Sequence, residues 1–119
     1  MAKLREVIAA ADAMRPNAID EEQKARWLYA CDADIAETMR CPMPPFVWPL
    51  EGEDAELLMP YPHDDCYLPY LCAKIDDYNQ DTDLYANDRA TATAALADAR
   101  AWWRRHHMPW PPRHWRLAP

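Results

Sequence analysis

Twelve prolines against a single glycine, Gly52, constrain this chain more than any other feature of its sequence. With almost no glycine, few positions enter the φ > 0 region cheaply, and proline becomes the main punctuation. The chain therefore reads as helices joined by stiff, extended connections. Phosphate-cradling loops of the P-loop or dinucleotide-binding kind need several glycines for close backbone approach, so nucleotide binding by those routes is excluded.

Between the prolines the apolar residues recur with helical spacing. Leu4, Val7, Ile8, Ala11 and Met14 form the stripe of a helix over 3–14, and Arg15-Pro16 ends it because a residue before proline is pushed out of the α region. Asp20 is a natural N-cap for a second helix, with Glu21 and Glu22 in its first turn and Gln23 placed for a capping box. Its buried line runs through Ala25, Leu28, Cys31 or Asp32, Ile35 and Met39, and Cys41-Pro42 closes it.

Residues 42–60 hold five prolines and the glycine, so neither a helix nor a central strand persists through them. They read as a long loop, or as a short β-hairpin pairing Phe46-Val47-Trp48 with Glu56-Leu57-Leu58. Pro62 suits the first position of a third helix carrying Tyr67, Leu68, Leu71, Cys72, Ile75 and Tyr78, with Pro69 either kinking it or absorbed in its early turns. Asp81 or Thr82 caps a fourth, alanine-rich helix from about 83 to 106, packed through Leu84, Ala92, Ala95, Leu96, Ala99, Trp102 and Trp103. Met108-Pro109 stops it. The expectation is an all-α, four-helix bundle-like domain over 1–108, with the 42–60 loop or hairpin between helices two and three and an extended, basic Trp/Pro tail over 109–119.

Charge is divided along the chain. Residues 1–99 carry 8 Lys/Arg and 20 Asp/Glu, whereas residues 100–119 carry Arg100, Arg104, Arg105, Arg113 and Arg116 and no acid. An acidic body argues against wrapping nucleic acid, whose affinity rests on clustered cations. Trp and Arg are the side chains most enriched as interface anchors, which marks Trp102, Trp103, Arg104, Arg105, Trp110, Arg113, Trp115 and Arg116 as a partner-binding end. In the proline-rich loop Phe46, Val47, Trp48 and Leu50 are the candidate contacts with a neighbour. A domain this small buries only about two thirds of its unfolded surface, which also favours assembly.

Catalytic and metal chemistry fit the sequence poorly. The cysteines at 31, 41, 66 and 72 show no C-x-x-C pair, and adjacent His106 and His107 point about 100° apart on a helix, unlike an i, i+4 chelating pair. Asp76, Asp77, Asp81 and Asp83 lack the glycine and terminal Glu of an EF-hand loop. Cys66 or Cys72 with His63 as nucleophile and base has no orienting motif around it. No catalytic residue, metal or cofactor is expected. Neither a signal-peptide core nor an apolar run near the roughly 20 residues of a membrane span is found, so a cytoplasmic product with reduced thiols is expected.

Several segments together resemble a known family. They are Met14-Arg15-Pro16-Asn17, Glu22-x-Lys24-x-x-Trp27-Leu28, Leu57-Leu58-Met59-Pro60-Tyr61-Pro62, Tyr67-Leu68, Tyr70-Leu71-x-Ala73-x-Ile75-Asp76-x-x-Asn79, Tyr85-x-Asn87 and Arg105-His106-His107-Met108-Pro109. Over residues 4–109 the chain resembles the small head-tail connector (adaptor, or head-completion) proteins of tailed bacteriophages. The resemblance implies a structural, non-enzymatic virion protein, assembled in the host cytoplasm and placed in the neck at the head-tail interface. It implies a homo-oligomeric ring, commonly of 12 copies, docked on the portal protein and against the next neck or tail-completion protein. Genomic DNA would pass without sequence preference through its lumen, and no membrane is involved. Acids facing the lumen would let DNA slide by repelling phosphates. The proline-rich stretch 42–49 and the tail from Trp110 to Trp115 depart from the family pattern. A second reading from another class is a small helical regulatory or nucleic-acid-binding module that uses the basic C-terminal end.

Overall fold

The computed structural model describes residues 3–38, 40, 43, 45, 46, 48, 57–60 and 62–107, with 106 and 107 described by backbone alone. Among the described residues there are four α-helices, one 3-10 turn and no β-strand, so the all-α expectation holds. The hairpin expected within 42–60 rests mostly on residues outside that set, and the tail 109–119 lies wholly outside it.

Helix α1 (Leu4–Met14) buries Leu4, Val7, Ile8 and Ala11, as its spacing predicts. Met14 does not join them and is 51% exposed. The helix ends at once, with Arg15 extended at φ −132°, ψ 99°, and it is the Arg15 side chain that turns inward. The link to the next helix is stiffened without glycine. The Asn17 carboxamide accepts the Ile19 N–H at 3.1 Å and donates to the Arg15 carbonyl at 2.8 Å and to Asp12 Oδ1 at 3.0 Å.

Helix α2 (Glu21–Thr38) starts at Asp20, whose carbonyl accepts the Lys24 N–H. Cys31 and Asp32 are both buried, so the alternatives left open by the helical wheel are occupied together. Lys24 is buried as well, its stem in the α1–α2 seam and its Nζ 2.6 Å from Asp12 Oδ1. That pair, with Asn17, holds the Asp12 carboxyl below its usual range against the opposing effect of burial.

The third helix begins differently from expectation. Pro62 precedes a 3-10 turn (His63–Cys66), and α3 (Tyr67–Tyr78) follows it, so Pro62 is not the first residue of an α-helix. Pro69 is the cause that the sequence offers. As the third residue of α3 it has no N–H to donate and its ring crowds the carbonyl four residues back, so the preceding turn tightens instead of bending the helix. Tyr67, Leu71, Cys72, Ile75 and also Asp76 are buried, whereas Tyr78, expected on the apolar line, is 62% exposed at the helix end.

Between α3 and α4 (Thr82–His107) the chain turns through three residues. Gln80 sits at φ 61°, and the Asp81 and Gln80 N–H groups donate to the carbonyls of Asp76 and Asp77. This is the six-to-one and five-to-two bond pair of a Schellman cap, built here on glutamine where glycine is usual. Asp81 then caps α4, its Oδ1 accepting the Leu84 N–H at 3.2 Å. Ala92, Ala99 and Trp103 are buried along α4, while Leu84, expected among them, is 38% exposed in the first turn of the helix.

Helix α3 is the common partner, packing most extensively on α4 and also against α1 and α2. The core joins residues of all four helices with Leu57, Leu58 and Met59. Replacing Gln80 by glycine should remove the left-handed strain and raise stability by about 0.5–1 kcal/mol, a shift of a few degrees in Tm measured by thermal unfolding. An unchanged or lower Tm would mean that the glutamine side chain contributes something its conformation hides.

Candidate functional site

Two buried polar clusters organise the domain. In the first, Asp32 of α2 is fully buried and accepts two hydrogen bonds, from the Tyr67 hydroxyl at 2.6 Å and from the Leu58 N–H at 3.0 Å. The Tyr67 oxygen in turn accepts the Met59 N–H at 2.8 Å. The end of the proline-rich loop is thereby fastened to α2 and α3 through its own backbone amides. Burial and the neighbouring Asp32 hold the Tyr67 phenol well above its ordinary range, so it stays a proton donor.

In the second cluster Arg15 bridges two carboxylates, Asp76 at 3.1 Å through Nε and Asp88 at 2.9 Å through Nη2. Asn79 adds a hydrogen bond to the Pro16 carbonyl at 3.1 Å. The end of α1 is thus tied to the corner between α3 and α4. Neither cluster was singled out from the sequence. The signal was nevertheless present, since Asp32, Asp76 and Asp88 each fall on the apolar line of their own helix, where a carboxylate needs a partner.

Some residues of the resembling segments lie in these clusters, whereas Asp32 and Asp88, which the clusters are built on, belong to none of those segments. Arg15, Asn17, Asp76 and Asn79 meet in or beside the second, and Leu58, Met59 and Tyr67 meet in the first. Their positions in the chain are far apart. Their roles are to fasten loops and helix ends, which is fold-specifying work.

The Trp/Arg end is only partly presented to solvent. Arg104 and Arg105 are exposed, and Trp102 is half-buried with its ring 4.6 Å from His63 in a stacked arrangement. Trp103 is 2% exposed and belongs to the core, so its side chain faces inward. Trp110, Arg113, Trp115 and Arg116 lie outside the described residues. Beside Trp102 a hollow of about 520 Å³ is lined by Pro62, His63, Asp65, Ala95, Asp98, Ala101 and Arg105.

In the loop, Phe46 stands edge-on to Tyr29 at 5.5 Å, lies under the Arg26 guanidinium at 4.6 Å, and stacks with Trp48 at 6.4 Å. Both rings are half-buried against the domain's own core. Val47 and Leu50, the other loop contacts expected, lie outside the described residues. A cleft of about 260 Å³ opens between α3 and α4, with Tyr70, Lys74, Tyr85, Arg89 and Leu96 among its walls.

The candidate nucleophile is placed unfavourably for reaction. Cys66 is completely buried, and burial together with Asp32 pushes its thiol up to about 12, so no thiolate forms near neutral pH. His63 stacks on Trp102. Cys31 is likewise buried and raised. Among the described residues no group of three His, Cys, Asp or Glu side chains is placed to hold a metal ion, and no helix is long and apolar enough to cross a membrane. Comparison with protein-family models, curated proteins and solved structures finds no match to this chain.

Tyr67→Phe should cost about 1–3 kcal/mol, because it strips a donor from buried Asp32 and leaves the Met59 N–H without its acceptor. Amide hydrogen exchange should show the loss concentrated at residues 58 and 59. Protection that is unchanged there would mean that the loop end is fastened by apolar packing alone.

Proposed function

We propose that this protein is a head-tail connector subunit of a tailed bacteriophage, a structural component of the virion neck. Copies assemble into a ring, 12 in the family that it resembles, which docks on the portal protein, receives the next neck or tail-completion protein, and passes genomic DNA through its lumen. The single observation that carries the reading is the convergence of the resembling segments. Residues separated by some 60 positions meet in the Arg15 cluster, and those of the loop end meet Tyr67 in the other. That matching residues touch one another supports the reading of a fold in common with that family.

The exposed part of the α4 end supports the docking role. Arg104, Arg105 and half-buried Trp102 offer cation and aromatic together beside a hollow, and the sequence continues directly into the Trp/Arg tail. An acidic remainder suits a lumen along which DNA slides rather than binds.

The test is reconstitution. The purified full chain, mixed with a tailed-phage portal protein from the same source, should form closed rings visible by electron microscopy and should co-migrate with portal. Removing residues 109–119, or introducing Arg104→Glu with Arg105→Glu, should weaken that association at least about tenfold, equivalent to about 1.4 kcal/mol. A monomer at all concentrations with no portal association would overturn the proposal. Tight, salt-sensitive binding of duplex DNA in a gel shift would favour the regulatory or nucleic-acid-binding module instead.

A further inference from the structure

The Arg15 cluster is short of one positive charge. Asp76 and Asp88 have side chains only 2% and 11% exposed, and they share a single guanidinium. Asp76 Oδ1 accepts from Arg15 Nε, but its second oxygen, Oδ2, is buried with no hydrogen-bond partner. Bonded to Nε and Nη2 of one guanidinium, the two carboxyl groups are held as close neighbours. Two carboxylates in such a site repel, whereas a carboxylic acid and a carboxylate form a hydrogen bond that also satisfies the orphaned oxygen.

We propose that Arg15, Asp76 and Asp88 form a proton-gated latch, in which one proton shared between Asp76 and Asp88 fastens the end of α1 to the α3–α4 corner. Loss of that proton leaves two buried negative charges on one cation and loosens α1 at the 15–20 linker. The surroundings support this directly. Arg15 comes from the end of α1 and Asp88 from α4, and both act on Asp76. Cys72, one turn before Asp76 on α3, feels both carboxylates, and burial first of all keeps its thiol up at about 11, so it stays neutral. The Arg15 guanidinium, despite the cost of burial, is held in its charged form by Asp88 and Asp76 and cannot release the proton in its place.

The sign of the effect follows. Burial and Asp88 raise the folded Asp76 carboxyl to about 6, above its value of 3.8 in an unperturbed chain. Its contribution to stability is therefore complete below the unfolded value, declines as pH rises between the two, and is gone above the folded value.

Thermal unfolding of the full chain and of Asp76→Asn from about pH 4 to about pH 7 tests the latch, because the carboxamide of that variant mimics the protonated acid permanently. Relative to the variant, the wild-type Tm should fall by several degrees across that interval and level off above about pH 6. Asp88→Asn should flatten the same difference by removing the second charge. Parallel melting curves for wild type and both variants would overturn the proposal. If either variant fails to fold, hydrogen exchange of the wild-type chain decides: α1 amides must lose protection relative to α2 amides as pH rises through about 6, after correction for intrinsic rates, and constant relative protection would overturn it.

Discussion

Burying the Asp32 carboxyl group commits the rest of the domain. A carboxyl group with no solvent exposure is tolerable only if hydrogen-bond donors surround it, and the donors here come from two places that the chain could otherwise have left apart. Tyr67 must begin α3 against α2, and the loop must return so that Leu58 and Met59 present their amides. Three apolar residues, Leu57, Leu58 and Met59, then enter the core beneath that polar cap. One buried acid thus decides where a long, proline-rich connection ends.

The scarcity of glycine gives the same logic a second form. Turns that most chains build with glycine are built here by side chains: Asn17 closes the α1–α2 link, Gln80 accepts a left-handed conformation, and Asp81 caps the helix that follows. Such turns are stiff because each is hydrogen-bonded at several points. Arg15, Asp76 and Asp88 lie beside the α3–α4 turn, and stiff connections on either side concentrate any response to charge at that one junction.

Several aromatic side chains of the loop and the C-terminal end are packed against the domain's own core. Phe46 is engaged with Arg26, Tyr29 and Trp48, and Trp103 belongs to the core. What remains outward on the described C-terminal end is Arg104, Arg105 and one side of Trp102.

The sequence by itself determined the four helices, their approximate ends and most of the apolar lines, because 3.6-residue spacing and the proline and Asx caps are local signals. It determined the division between an acidic body and a basic end. It misplaced Met14, Tyr78 and Leu84, each at a helix terminus, since periodicity continues past the point where a neighbouring helix stops. Only the tertiary structure decided that Asp32 meets Tyr67 and that Arg15 meets Asp76 and Asp88. Those partners are separated by 35, 61 and 73 residues, and a buried charge announces that it needs a partner without naming which one. Choosing the partner requires knowing which helices lie side by side, and here that is settled by the packing of α3 against the other three.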